Sequence, residues 1–184
     1  MKLPELLEVI QVQRHDFLNH LQVISGLLQL NRGERVKDYI DQITREMAPL
    51  SAVTRLKVPE LKAVLLIAVH KAKKHQIDFV YNIDTHLDDF AVPGAVLAEA
   101  VEECINAAVE RLSPAHIEDR RLLFALTERE NEFVFKFRLP GLSPGVLAGL
   151  EDKLRYSRDL SERDIHAGVA AASNGTEIYL TVPR

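Results

Sequence analysis

Leu3, Leu7, Ile10, Phe17, Leu21, Ile24 and Leu28 recur at spacings of three, four and seven near the start of the chain. That is one stripe of a 3.6-residue repeat, so residues 3–30 are predicted to form an amphipathic helix. Asn31-Arg32-Gly33 is a stop signal, with Gly33 expected to take the left-handed conformation at the helix end. A second helix is predicted from near Glu34, where Val36, Ile40, Ile43, Met47, Leu50 and Val53 or Thr54 make a heptad-like seam. A turn this short sets the two helices antiparallel. Their seams are too long for the hairpin to bury alone, so a second copy is the expected partner, giving a homodimeric four-helix bundle.

The pattern changes after Lys57-Val58-Pro59-Glu60, where Pro59 interrupts or restarts helix. Residues 61–75 read as helix and 77–83 as strand. Pro93 opens a helix running through Val96, Ala100, Val101, Cys104, Ile105 and Ala108 to Leu112. Residues 121–127 and 132–139 read as a β-hairpin turning at 128–131. Short helices are predicted at 144–156 and 162–172, the latter ended by Asn174-Gly175, and residues 176–182 read as a closing strand. The fold class is α+β. A helical hairpin spans residues 1–57, and an α/β sandwich with helices on one sheet face spans residues 58–184.

Composition adds exclusions. The 184 residues are 47% hydrophobic and 27% charged, with a net charge of −4 and no Trp. This gives no reason to expect nucleic-acid or membrane-surface binding. The N-terminus carries charges throughout and is not expected to be a signal peptide, and no stretch approaches the ~20 apolar residues of a membrane span. A cytoplasmic protein is the expectation. Cys104 is the only cysteine and lies in an apolar helical pattern, so it is expected to be core packing. His70, His75, His86, His116 and His166 show no metal-ligand spacing and are read as structural or surface residues, so no metal site is expected.

His15 is the chemical candidate. At about 100° per residue it lies about 140° from the centre of the apolar stripe, among Gln11, Asn19, Gln22 and Gly26. A structural histidine would sit on the seam, and His20 falls nearer to it. A free imidazole titrates near 6.5, so at cellular pH it offers a neutral nucleophile toward phosphorus. Beyond that nucleophile, phosphoryl transfer needs in-line geometry and neutralised phosphoryl oxygens. Arg14 offers positive charge, and Asp16 offers a group to orient the ring. Exposed helical histidines are common, so spacing alone does not assign this role.

The block from Arg14-His15-Asp16-Phe17-Leu18-Asn19-His20-Leu21-Gln22-Val23-Ile24 through Gly26-Leu27-Leu28-Gln29-Leu30 resembles the phosphoacceptor helix of the sporulation initiation phosphotransferase B family. It also resembles the related citrate/dicarboxylate-type sensor histidine kinases. The likeness extends through Arg35-Val36, Tyr39-Ile40 and Val58-Pro59-Glu60-Leu61, and weakens beyond. It implies that His15 is the phosphorylated residue, with Arg14, Asp16 and Asn19 around it. Gln11, Gln22 and Gln29, on the same face, are expected partner contacts.

In the kinases the C-terminal sandwich binds ATP. Glu102, Glu103 and Asn106 look like a remnant of the helix that presents Asn to magnesium and phosphates. The expected Asp-x-Gly-x-Gly stretch is replaced by Leu139-Pro140-Gly141-Leu142-Ser143-Pro144-Gly145. Of the second glycine loop only His166-Ala167-Gly168-Val169 is present. The stretch between is short for an ATP lid, and the chain begins almost at the histidine helix, so no sensor domain is expected. The resemblance therefore implies a degenerate ATPase-like domain with no intrinsic cofactor, and a phosphorelay role. A phosphorylated response regulator, bringing its own Mg2+, would phosphorylate His15, and a second regulator would take the group. The setting implied is sporulation initiation in a Gram-positive bacterium, with a single-domain regulator as donor and the sporulation transcription factor as acceptor. The alternatives are an ATP-dependent sensor kinase fragment and a non-catalytic response-regulator-binding module.

Overall fold

The computed structural model describes residues 3–89, 91–142, 145, 149 and 165–184. Two helices come first, α1 (Leu3–Gln29) and α2 (Gly33–Arg55). The reversal between them differs from expectation. Asn31, not Gly33, takes the left-handed conformation (φ 55°), and Gly33 is already the first residue of α2. The Asn31 amide bonds to Leu28 O at 2.9 Å and the Arg32 amide to Leu27 O at 3.0 Å, which closes the carbonyls of the last turn. Asn tolerates this backbone at low cost, so glycine is not required there.

Pro59 opens α3 (Pro59–Lys74) at its first turn, where a missing N–H costs nothing, and Val58 before it is extended. β1 (Asp78–Ile83), α4 (Gly94–Leu112), β2 (Arg121–Glu128), β3 (Glu132–Pro140), β4 (His166–Ala172) and β5 (Gly175–Pro183) follow. The five strands are ordered β1-β2-β3-β5-β4, with β1 parallel to β2 and the other pairs antiparallel. Alternation sorts the sheet faces. Leu122, Phe124 and Leu126, Phe133, Phe135 and Phe137, and Ile178, Leu180 and Val182 are buried in one core with Leu61 and Leu65 of α3 and Leu97, Val101 and Ile105 of α4. The opposite face carries Lys136 and Arg138, both paired to Glu177 at 2.9 and 3.1 Å. The core reaches back into the end of α2 through Val53 and Leu56. Cys104 is fully buried in it, and burial pushes its thiol pKa far up, so it is inert packing.

The helix expected over 162–172 is a correction: residues 166–172 are the edge strand β4. Its alanines favour helix intrinsically, but pairing from His166↔Thr181 to Ala172↔Gly175 overrides that preference. Asn174-Gly175 belongs to the hairpin between β4 and β5 and ends no helix. Gly175 (φ 136°) is required there, because a Cβ would collide with Leu139 O. The helix expected over 144–156 falls outside the described residues apart from Gly145 and Gly149.

The hairpin leaves its main stripe open. Leu3, Leu7, Ile10, Phe17, Leu21 and Leu28 of α1, with Ile40 and Met47 of α2, are all exposed, while Val36 and Val53 are buried. Among the described residues no helix is long and apolar enough to cross a membrane.

Candidate functional site

His15 stands near the middle of α1 with its side chain 73% exposed. Asn19, one turn on, places its amide 3.1 Å from His15 Nδ1. The facing atom is Nδ2, which donates to an unprotonated Nδ1; an Nδ1–H ring requires the amide turned over so that Oδ1 accepts. Asp16 Oδ1 lies 3.7 Å from the same nitrogen, an ion-pair distance longer than a hydrogen bond. The polar neighbours thus gather at Nδ1. Arg14 is exposed on the opposite side of His15 from Asp16. Gln11, Gln22 and Gln29 are exposed and lie within about 40° of His15 on the helix.

α1 packs against α3 as well as α2. Val9 is buried, and beside it acidic α1 meets basic α3. Glu5 faces Lys71 Nζ at 3.7 Å, Glu8 takes Lys74 Nζ at 2.7 Å with His70 Nε2 at 3.5 Å, and Asp16 Oδ2 takes Lys73 Nζ at 2.9 Å. Hydrogen bonding from Lys73 outweighs partial burial and holds the Asp16 carboxyl below the ordinary aspartate range. Lys73 was not singled out from the sequence. Only its place in a lysine-rich last turn, Lys71-Ala72-Lys73-Lys74, hinted at it.

His20 has a different setting from His15. Its Nδ1 meets Tyr39 Oη at 3.0 Å across the hairpin, a structural tie between α1 and α2. Asn106 is exposed on α4, where its Oδ1 accepts from Lys71 Nζ at 3.5 Å. It lines a cleft of about 400 Å³ between α3 and α4 with Glu60, Glu99 and Glu102. Gly141 (φ 74°) follows the end of β3, and Gly168 lies inside β4 beneath the Tyr179 ring, where a Cβ would clash. Sheet packing alone accounts for Gly168. Among the described residues no three His, Cys, Asp or Glu side chains gather as a metal site.

A histidine-bearing helical hairpin joined to this mixed sandwich makes an α+β chain, whose fold is similar to that of solved histidine-kinase catalytic domains. The catalytic domain of histidine kinase ThkA superposes with a TM-score of 0.53 at 13% identity, over 67% of this chain and 90% of that one. Full-length ShkA in complex with AMPPNP gives 0.52 at 12% identity, over 83% of this chain and 39% of that one. More particularly, residues 1–56 match the family model "Sensor kinase SpoOB-type, alpha-helical domain". Sporulation initiation phosphotransferase B of Bacillus subtilis is 28% identical over 116 residues, covering 61% of this chain and 59% of that one. A probable C4-dicarboxylate sensor kinase and the sensor protein CitS, both of Halalkalibacterium halodurans, are each 24% identical over 80% and 90% of this chain. This chain spans 28% and 31% of their lengths. The relationship expected from the Arg14–Leu30 block is borne out.

Proposed function

We propose that the chain is a phosphotransferase that carries a phosphoryl group on His15 between the aspartates of two response regulators, as a homodimer. The observation that carries this is the His15 ring itself: it is exposed, and its polar neighbours gather at Nδ1, so Nε2 is the ring nitrogen open to a docked donor. The Nε2 lone pair attacks phosphorus in line. The N–P bond forms as the P–O bond to the donor aspartyl group breaks, and the carboxylate leaves with the bonding pair. In the Nδ1–H tautomer Nδ1 keeps its proton, and Asp16 steadies the positive charge that develops on the ring. The same steps reversed pass the group to the second aspartate. Arg14 offers charge to the phosphoryl oxygens, while Gln11, Gln22 and Gln29 offer contacts to the docked regulator. Magnesium is expected in the regulator's own acidic pocket, and no nucleotide is needed.

The likeness of the helical segment to sporulation initiation phosphotransferase B supports this reading and its placement in sporulation initiation. The open apolar stripe of α1 and α2 supports the four-helix dimer. Incubation with a phosphorylated response regulator should label His15, and His15→Ala should abolish passage to a second regulator while leaving binding in place. Label appearing on His15 from ATP alone would turn the reading toward an autokinase.

A further inference from the structure

The two oxygens of Asp16 are divided between two elements. Oδ1 faces His15 Nδ1 at 3.7 Å, and Oδ2 is held at 2.9 Å by Lys73 Nζ from the end of α3, 57 residues along the chain. On an isolated helix, Asp16 projects about 100° away from His15 and is free to change rotamer. The α3 contact removes that freedom. We propose that Lys73 is a positioning residue of the His15 site, through which the C-terminal sandwich sets the orientation of Asp16 toward the imidazole. The proposal rests on the reading of His15 as the nucleophile, and gives the second domain a part in that chemistry.

Three features favour positioning over simple adhesion. Lys73 and Asp16 are 72% and 40% exposed, and an ion pair so open to water contributes little to stability. Adhesion is already supplied by buried Val9 and by the less exposed contacts of Lys71 with Glu5 and of His70 with Glu8. Asp16 alone among those three acidic residues adjoins His15. The chemical effect follows from the acceptor's charge. Asp16 is ionised through the physiological range, as a free aspartate is, and the hydrogen bond from Lys73 holds its carboxyl lower still. An ionised oxygen fixed on the Nδ1 side favours the Nδ1–H tautomer over the one that the Asn19 Nδ2 contact favours, and leaves the Nε2 lone pair free for phosphorus.

The test reads the ring directly, on the full unphosphorylated chain labelled with 15N and 13C in histidine. His15 in the parent protein should be biased to Nδ1–H. Lys73→Met should shift the tautomer ratio severalfold toward Nε2–H, and Lys73→Arg should restore it. In an Asp16→Asn background, Lys73→Met should cause no further shift, because its effect passes through Asp16. Lys74→Met, which breaks a pair about 10 Å further along α1, should leave the ratio unchanged. A small phosphoramidate donor supplies the second readout, since Lys73→Met should slow His15 labelling severalfold with the same dependence on Asp16. An unchanged tautomer ratio in Lys73→Met would overturn the proposal. So would an equal shift in Lys74→Met, or one that persists without the Asp16 carboxylate. A parent chain whose ring obeys this pattern but accepts no phosphoryl group would sink the functional reading alone.

Discussion

Phe17→Ala tests the proposed bundle at its most open aromatic. Phe17 is 57% exposed. For a side chain of roughly 200 Å², that leaves roughly 110 Å² in contact with water. At about 25 cal/mol per Å², covering it is worth at most about 3 kcal/mol per protomer. Alanine keeps the Cβ and a four-helix seam covers only part of the ring, so about 2 kcal/mol is expected to be lost per protomer. A two-fold interface counts each substitution twice, which gives about 4 kcal/mol, or roughly a thousandfold in the dimer dissociation constant. Because the ring is open in the isolated chain, truncation should leave helix content and thermal unfolding of the monomer close to the parent's. Sedimentation equilibrium over a wide concentration range reads the constant. A parent chain that stays monomeric at tens of micromolar, or a variant within about threefold of it, would refute the assignment of this stripe to a second copy.

Glu177 makes stability pH-dependent in a stated direction. Its burial acts to raise its pKa, but hydrogen bonds and charge from Lys136 and Arg138 outweigh that and hold the carboxyl below 4.5. A depressed carboxylate stabilises the fold above its unfolded pKa, and that contribution is lost as pH falls through the folded value. Glu177→Gln should therefore lower stability near pH 7 and flatten the loss between about pH 5 and 3 in urea titrations. An unchanged acid limb would remove Glu177 from the account. Gly168→Ala should destabilise by about 1–3 kcal/mol, because its Cβ meets the Tyr179 ring. The penalty should shrink in a Tyr179→Ala background, and a glycine kept for nucleotide contact would show no such coupling.

The parts legible in the sequence were those fixed by short-range pattern. The α1 stripe and the α2 seam announced two helices through their period, and Pro59 marked the start of α3 through its fixed φ. The Phe133, Phe135 and Phe137 alternation announced β3 in the same way. The misses came from longer range. His166–Ala172 carries helix-favouring alanines, and only the β5 register makes it a strand. The Asn174-Gly175 pair was a hairpin signal that such a reading could have used. The hairpin reversal used Asn31 where glycine was the default expectation, because the Schellman bonds need the conformation and not the residue type. At the site, His15, Asp16 and Asn19 sit within one turn of α1, so their neighbourhood followed from helix geometry. Lys73 did not, because no local pattern says which side chain of α3 reaches α1 across 57 residues.

The central claim is that His15 takes a phosphoryl group from a protein aspartate. The direct measurement is to mix the chain with a radiolabelled phospho-response regulator, without ATP, and locate the label by peptide mass and acid lability. The account predicts acid-labile, base-stable label on His15, absent in His15→Ala and chased onto a second regulator. Label that passes between regulators in the His15→Ala chain, or none on His15 while the regulator binds, would contradict it.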